Sequence, residues 1–155
     1  PTSSVTAVLF GILSFSGLGA AWSDRRGGTT ADVAKPVLYW LPIAIIALTF
    51  VVPTVLQQLI GLPHAARLLI AVLLIAPVAF LMGIPFPLGI RAIAATGGKH
   101  VPWAWAANGC ASVVGSVCAV LGAMIWDFST MLLIAGAIYV LALIVISKMR
   151  IALSA

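Results

Sequence analysis

Five long apolar stretches, separated by short connections, constrain this chain more than any other feature. They fall near residues 4–22, 37–60, 67–90, 103–126 and 129–147. A helix needs about 20 mainly apolar residues to cross the hydrocarbon of a bilayer. Where water is absent, a backbone must satisfy its own hydrogen bonds, as a helix does. The sequence therefore predicts an all-α, polytopic transmembrane helix bundle of about five spans, and the 155 residues make one domain. Composition agrees: 63% of residues are hydrophobic and 7% charged, and there is no glutamate. Soluble domains are roughly half apolar and a quarter charged, so a soluble enzyme is excluded. The mean hydropathy of +1.24 requires lipid or partner helices to cover the surface.

The chain starts at Pro1 with no methionine, and no basic n-region precedes the first apolar stretch. No signal peptide is visible. The expectation is that an upstream segment was removed or that the chain is part of a longer protein.

The net charge of +5 does not point to nucleic acid. Basic residues stand at the ends of apolar segments and form no stripe with interleaved aromatics. They sort by side instead. With five spans, Arg25, Arg26, Lys35, Arg91, Lys99, Lys148 and Arg150 fall on one side and only Arg67 on the other. The excess of lysine and arginine on cytoplasmic loops predicts a cytoplasmic C-terminus and an N-terminus outside. Trp22, Tyr39, Trp40, Trp103, Trp105 and Trp126 lie near predicted helix ends, where amphipathic rings favour the headgroup region. The segment "SDRRGGTTADVAKP" reads as a solvated connector, with Arg25 and Arg26 in reach of anionic headgroups. Asp127 and Phe128 leave so short a link that the fourth and fifth spans are expected to form an antiparallel hairpin.

The third span carries an interruption, "MGIPFPLGIR" at residues 82–91. Proline lacks an N–H and clashes with the preceding turn, so Pro85 and Pro87 end or kink the helix near its cytoplasmic part. Irregular backbone at this depth must be buried by protein or line a wet cavity, so residues 82–90 are expected to face protein. One reading is a kink that fits helix packing; the other is a discontinuous helix forming a binding site. Downstream, Pro102 suits the first turn of the fourth helix, and Asn108 follows about two turns in. Its amide is a candidate partner for the carbonyls of residues 82–85. Arg91, Asn108, Gly83, Pro85 and Pro87 together make the candidate site, for an anionic lipid headgroup or ligand. For Arg91 the plainer reading is a positive-inside anchor.

Along the fourth span Ala111, Gly115 and Ala119 recur every four residues, with Ser112, Ser116 and Gly122 beside or beyond them. Small residues at this spacing let another helix approach closely, which defines a packing face. Cys110 and Cys118 are eight residues apart, about 12 Å along a helix, too far to bridge each other.

The run "LMGIPFPLGIR", followed by "PWAWAANGCASVVGSVCAV" and an apolar hairpin, resembles the C-terminal membrane region of bacterial spermidine synthase-like integral membrane proteins. The resemblance is most specific over residues 81–122. It implies a bacterial inner-membrane location and, in the family, an accompanying aminopropyltransferase-like domain. Such a domain needs an α/β sheet, a nucleotide loop and acidic residues for a cationic amine. With three acidic residues in all, this chain lacks that catalytic part, and no synthase activity carries over to any residue here.

Asp24, Asp32 and Asp127 fall at interfaces or in a loop, where pairing or turn capping accounts for them. His64 and His100 lie at opposite edges; each could ligate a pigment or haem, but neither sits mid-span in a small-residue pocket. No metal site and no cofactor are expected, and the reading leaves room for a bound lipid. Three functions follow from these features. The first is a non-catalytic accessory or scaffold subunit that packs with other membrane-protein subunits. The second is the membrane module of a small-solute, amine-like transporter. The third is a membrane anchor for a spermidine synthase-like enzyme.

Overall fold

A computed structural model describes residues 2–25 and 30–153, all within helices or their short connections. The helices are α1 (Thr2–Arg25), α2 (Thr30–Gln58), α3 (His64–Met82), α4 (Pro85–Ala95), α5 (Val101–Ile125) and α6 (Phe128–Leu153). Five helical stretches are long and apolar enough to cross a membrane: Ser4–Arg25, Val33–Gln58, His64–Ala95, Val101–Ile125 and Phe128–Val145. The all-α, five-span architecture expected from hydropathy is the one observed.

The most displaced boundary is the start of α2, at Thr30 where residue 37 was expected. The polar segment read as a solvated connector is helical up to Arg25 and again from Thr30. Thr-Thr-Ala-Asp combines residue types that favour helix N-termini, and proline is tolerated in early turns. From Thr30 onward the polar residues mark a helix start. Of the cations sorted by side, Arg26 lies outside the described residues, as do the side chains of Lys148 and Arg150.

α1 and α3 run parallel in close contact. Ser4 Oγ lies 3.3 Å from His64 Nε2 at one end, and a Cβ placed on Gly11 would meet the Val72 side chain in the middle. Toward the other end the two backbones nearly touch. A Cβ on Gly19 would overlap the Phe80 carbonyl, and one on Gly83 would overlap the Ser16 carbonyl. Glycine is required at both places because the obstacle is backbone and cannot rotate away.

α2 runs antiparallel to α3 and α4. Val33 and Val37 pack with Leu88 and Ile84, and further along Leu41 and Ile45 pack with Val78. Leu132 and Tyr139 of α6 close the second cluster, and Gly136 lets Ile45 and Ile46 approach α6. Lipid tails are as apolar as these side chains, so close packing, not exclusion from water, holds the clusters together. These pairings put Arg25, Lys35 and Arg91 at one end of the bundle, with the start of α5, and Arg67 beside His64 at the other.

α5 is built differently. Its first turns meet α4 through an edge-to-face pair, Phe86 and Trp105, with centroids 4.8 Å apart. Near its last turn, Gly122 sits against Met131 of α6. Gly122 is its one buried residue, and every residue from Asn108 to Leu121 is exposed. α5 and α6 are joined through Trp126 and Asp127, as the short link predicts. Between them lies an apolar cleft of about 340 Å³, lined by Gly115, Cys118 and Ala119 on one side and Ile134 and Ile138 on the other.

Candidate functional site

The interruption of the third span lies between α3 and α4, and its backbone remains helical. Gly83 has φ −70° and ψ −18°, and Ile84 has φ −84° and ψ −41°. Pro85 provides no N–H for the Leu81 carbonyl, but the Ile84 N–H donates to it at 3.3 Å. The Gly83 N–H donates to Ala79 and Phe80, and the Leu88 N–H to the Ile84 carbonyl. The break is thus a proline kink repaired by tightened local bonds, the form that proline-interrupted helices commonly take. Part of it faces protein, Ile84 being 0% exposed and Leu88 2%, whereas Met82 and Gly89 are exposed. Gly83, Pro85 and Pro87 are placed together at this kink, with Gly83 against α1.

Arg91 lies on α4, ten residues before α5 begins. Its guanidinium Nη2 donates to the Ser23 carbonyl at 2.6 Å, and its Nε stands 3.8 Å from Asp24 Oδ1. That Nε is buried and makes no hydrogen bond. Ser23 is fully buried and returns its own hydroxyl to the Ala20 carbonyl at 2.7 Å. The arginine therefore closes the C-terminal end of α1, where unsatisfied carbonyls carry partial negative charge and favour a cation. An anion brought to Arg91 would meet a carboxylate and a helix C-terminus, not free amides.

Asn108 does not reach the kink. It lies on the exposed part of α5, and no hydrogen bond joins its side chain to residues 82–85 among the described residues. Its carbonyl accepts the Ser112 hydroxyl at 2.7 Å, and Ser116 donates to Val113 at 2.8 Å. Of the small-residue face, Gly122 packs within the chain while Ala111, Ser112, Gly115, Ser116 and Ala119 are exposed. A Cβ on Gly115 would meet nothing within 4 Å. The face is uncovered, and both its hydroxyls are already satisfied by their own helix.

Asp127 accepts the Thr130 N–H at 2.6 Å and caps α6. His64 and His100 are exposed at the starts of α3 and α5, and Cys110 and Cys118 are free thiols on α5. Among the described residues no three His, Cys, Asp or Glu side chains converge as metal ligands.

Three features escaped the sequence reading. Gly19 and Ser23 of α1 have one visible signal, the run of small residues "SGLGAA" at 16–21, which suits close helix contact. The third is an apolar groove where α1, α2 and α3 meet, lined by Trp22, Val37, Trp40 and Leu81 among others. Its residues come from three helices at unrelated spacings and leave no linear trace. The fold and the uncovered helix define a five-span, all-helical membrane protein. No family model, curated protein or solved structure matches the chain.

Proposed function

We propose that this chain is a non-catalytic integral membrane accessory or scaffold subunit that packs against other membrane-protein subunits through α5. We place it in a bacterial inner membrane, with the N-terminus outside and the C-terminus cytoplasmic, on the strength of the basic-residue sorting and the family resemblance. One observation carries the reading. From Asn108 to Leu121 every residue of α5 is exposed, Ala111, Gly115 and Ala119 at close-approach spacing among them, with Gly115 and Ala119 opening on the cleft beside α6. A helix touching its own bundle mainly at its two ends has its middle free for other helices.

The test is native mass spectrometry of the complex after mild detergent extraction, for the natural chain and for Gly115→Leu. Expected are stoichiometric partner chains and about tenfold or greater loss of them in the variant. Space around Gly115 admits the leucine, so the bundle itself should melt unchanged. A chain that extracts alone, or a variant that keeps its partners, refutes the reading.

The transport reading has less support. It calls for unwound backbone and convergent polar groups, whereas Gly83 and Ile84 stay helical and Asn108 is exposed on α5. The anchor reading rests on the resemblance over residues 81–122. An intact mass far above that of this chain, with a soluble nucleotide-binding domain attached, would favour it.

A further inference from the structure

The α5–α6 hairpin is packed at its closed end and parted along the rest. Beside the Trp126–Asp127 link, Gly122 sits so near Met131 that a Cβ there would overlap the methionine side chain. Counting away from that contact along two antiparallel helices sets Ala119 opposite Ile134, Cys118 opposite Ala135 and Gly115 opposite Ile138. All six belong to the lining of the cleft of about 340 Å³ between the helices. Residues 115, 118, 119 and 122 share one face of α5, and residues 131, 134, 135 and 138 share one face of α6, because each set advances by three or four positions. The faces also match in relief: glycine, cysteine and alanine leave hollows on α5, and the isoleucines of α6 stand out to fill them. Yet they remain apart, since a Cβ on Gly115 would meet nothing within 4 Å and Ile134 and Ile138 are exposed.

The parting has a visible cause at the other end of α5. Leu132 and Tyr139 fix α6 on the α2 cluster, and Gly136 holds it against Ile45 and Ile46. The start of α5 is fixed elsewhere, by Trp105 edge-on to Phe86 of α4 with centroids 4.8 Å apart. α4 is itself held by Leu88 in the core and by Arg91 on the Ser23 carbonyl. The Phe86–Trp105 pair therefore acts as a strut that keeps the first turns of α5 beside α4 while its last turn stays on α6.

We propose that the hairpin is a clasp with two positions: the open one of this structure, and a closed one in which Trp105 leaves Phe86 and α5 turns about Gly122 onto α6. Gly115, Cys118 and Ala119 then pack on Ile138, Ala135 and Ile134, with the helix axes about 8–10 Å apart. Close packing of small against branched side chains favours closure in lipid, and the aromatic strut opposes it. On the scaffold reading, closure hides Gly115 and Ala119, so partner chains take the open form. The closure itself is a property of the single chain and does not rest on that reading.

Nitroxide labels at Val113→Cys and Val140→Cys test it, in a chain whose native thiols are removed by Cys110→Ala and Cys118→Ala. Both valines are exposed, and both lie at matching depth on faces turned away from the cleft, so the labels do not enter it. Electron–electron double resonance on the full chain in bicelles, without partners, is expected to give a long and a short distance. Trp105→Ala and Phe86→Ala remove the strut from its two sides, and each should raise the short-to-long ratio about two- to twelvefold. Gly115→Leu fills the cleft and should leave the long distance alone. A single distance unmoved by both strut variants overturns the proposal, and so does a short distance that survives Gly115→Leu.

Discussion

Gly19→Ala is the sharpest test of how α1 and α3 pack. Two effects oppose each other. Replacing a helical glycine by alanine favours the helix by about 0.5–1 kcal/mol. Against this, the added Cβ would overlap the Phe80 carbonyl, and real Cβ atoms keep about 3.0 Å from any neighbour. A carbonyl in a helix cannot swing aside, so the helices must part. A gap of 0.5–1 Å already forfeits roughly a quarter to a half of each dispersion contact it opens. Overpacking of this kind typically costs about 1–3 kcal/mol, so we expect a net loss of up to about 2.5 kcal/mol. Gly17 provides the control on the same helix, because a Cβ there would meet nothing within 4 Å. Gly17→Ala should be neutral or slightly stabilising. Gly83→Ala should resemble Gly19→Ala, since its Cβ would overlap the Ser16 carbonyl one helical turn away. One parting of the helices relieves both clashes, so the double variant should lose at least about 0.5 kcal/mol less than the two singles added together. Reversible unfolding in mixed micelles, followed by circular dichroism, measures all four. If Gly19→Ala is no less stable than Gly17→Ala, the backbone contact of α1 and α3 is not as described.

Two further outcomes can be checked on the same samples. Arg91→Gln removes a charge-assisted bond to the Ser23 carbonyl and should cost about 1 kcal/mol after allowance for its partial exposure, whereas Asp24→Asn should change stability by less than about 0.5 kcal/mol because that pair is long and mostly exposed. Asp127→Ala should cost about 1 kcal/mol and speed hydrogen exchange of the Thr130 amide, and Asp127→Asn, which keeps an acceptor, only a few tenths.

Much of the architecture was legible because hydropathy and helix length are local properties. The five spans appear where the apolar runs lie, and Asp127 caps a helix where the tight turn suggested capping. The interruption at residues 82–91 was legible too, since Pro85 and Pro87 lack donors wherever they stand. What the sequence could not give was the direction each helix faces. Asn108 was expected to complete the kink because it lies at the right depth, but depth leaves the rotation of α5 about its axis free. Arg91 read as a cation near the start of the fourth span, whereas its partners are 67 and 68 residues earlier in the chain, at the end of α1. The small-residue face was visible by its spacing, yet no spacing tells whether this chain or another covers it.

The kink and the uncovered helix are two parts of one arrangement. A straight third span would carry Ile84 and Leu88 on along the axis of α3. The proline kink instead turns α4 so that these two residues pack on Val33 and Val37 of α2 while Arg91 reaches the end of α1. α4 then occupies the position beside α1 and α2 that a following helix could otherwise have taken. α5 starts beside α4, at the Phe86–Trp105 pair, and packs closely on α6 at Gly122. Its exposure therefore follows from where the chain bends. On this argument a substitution that straightens the third span should alter assembly through α5 even though it touches no residue of the small-residue face. Pro85→Ala tests it: the interruption should shorten, and partner retention should fall with Gly115 intact.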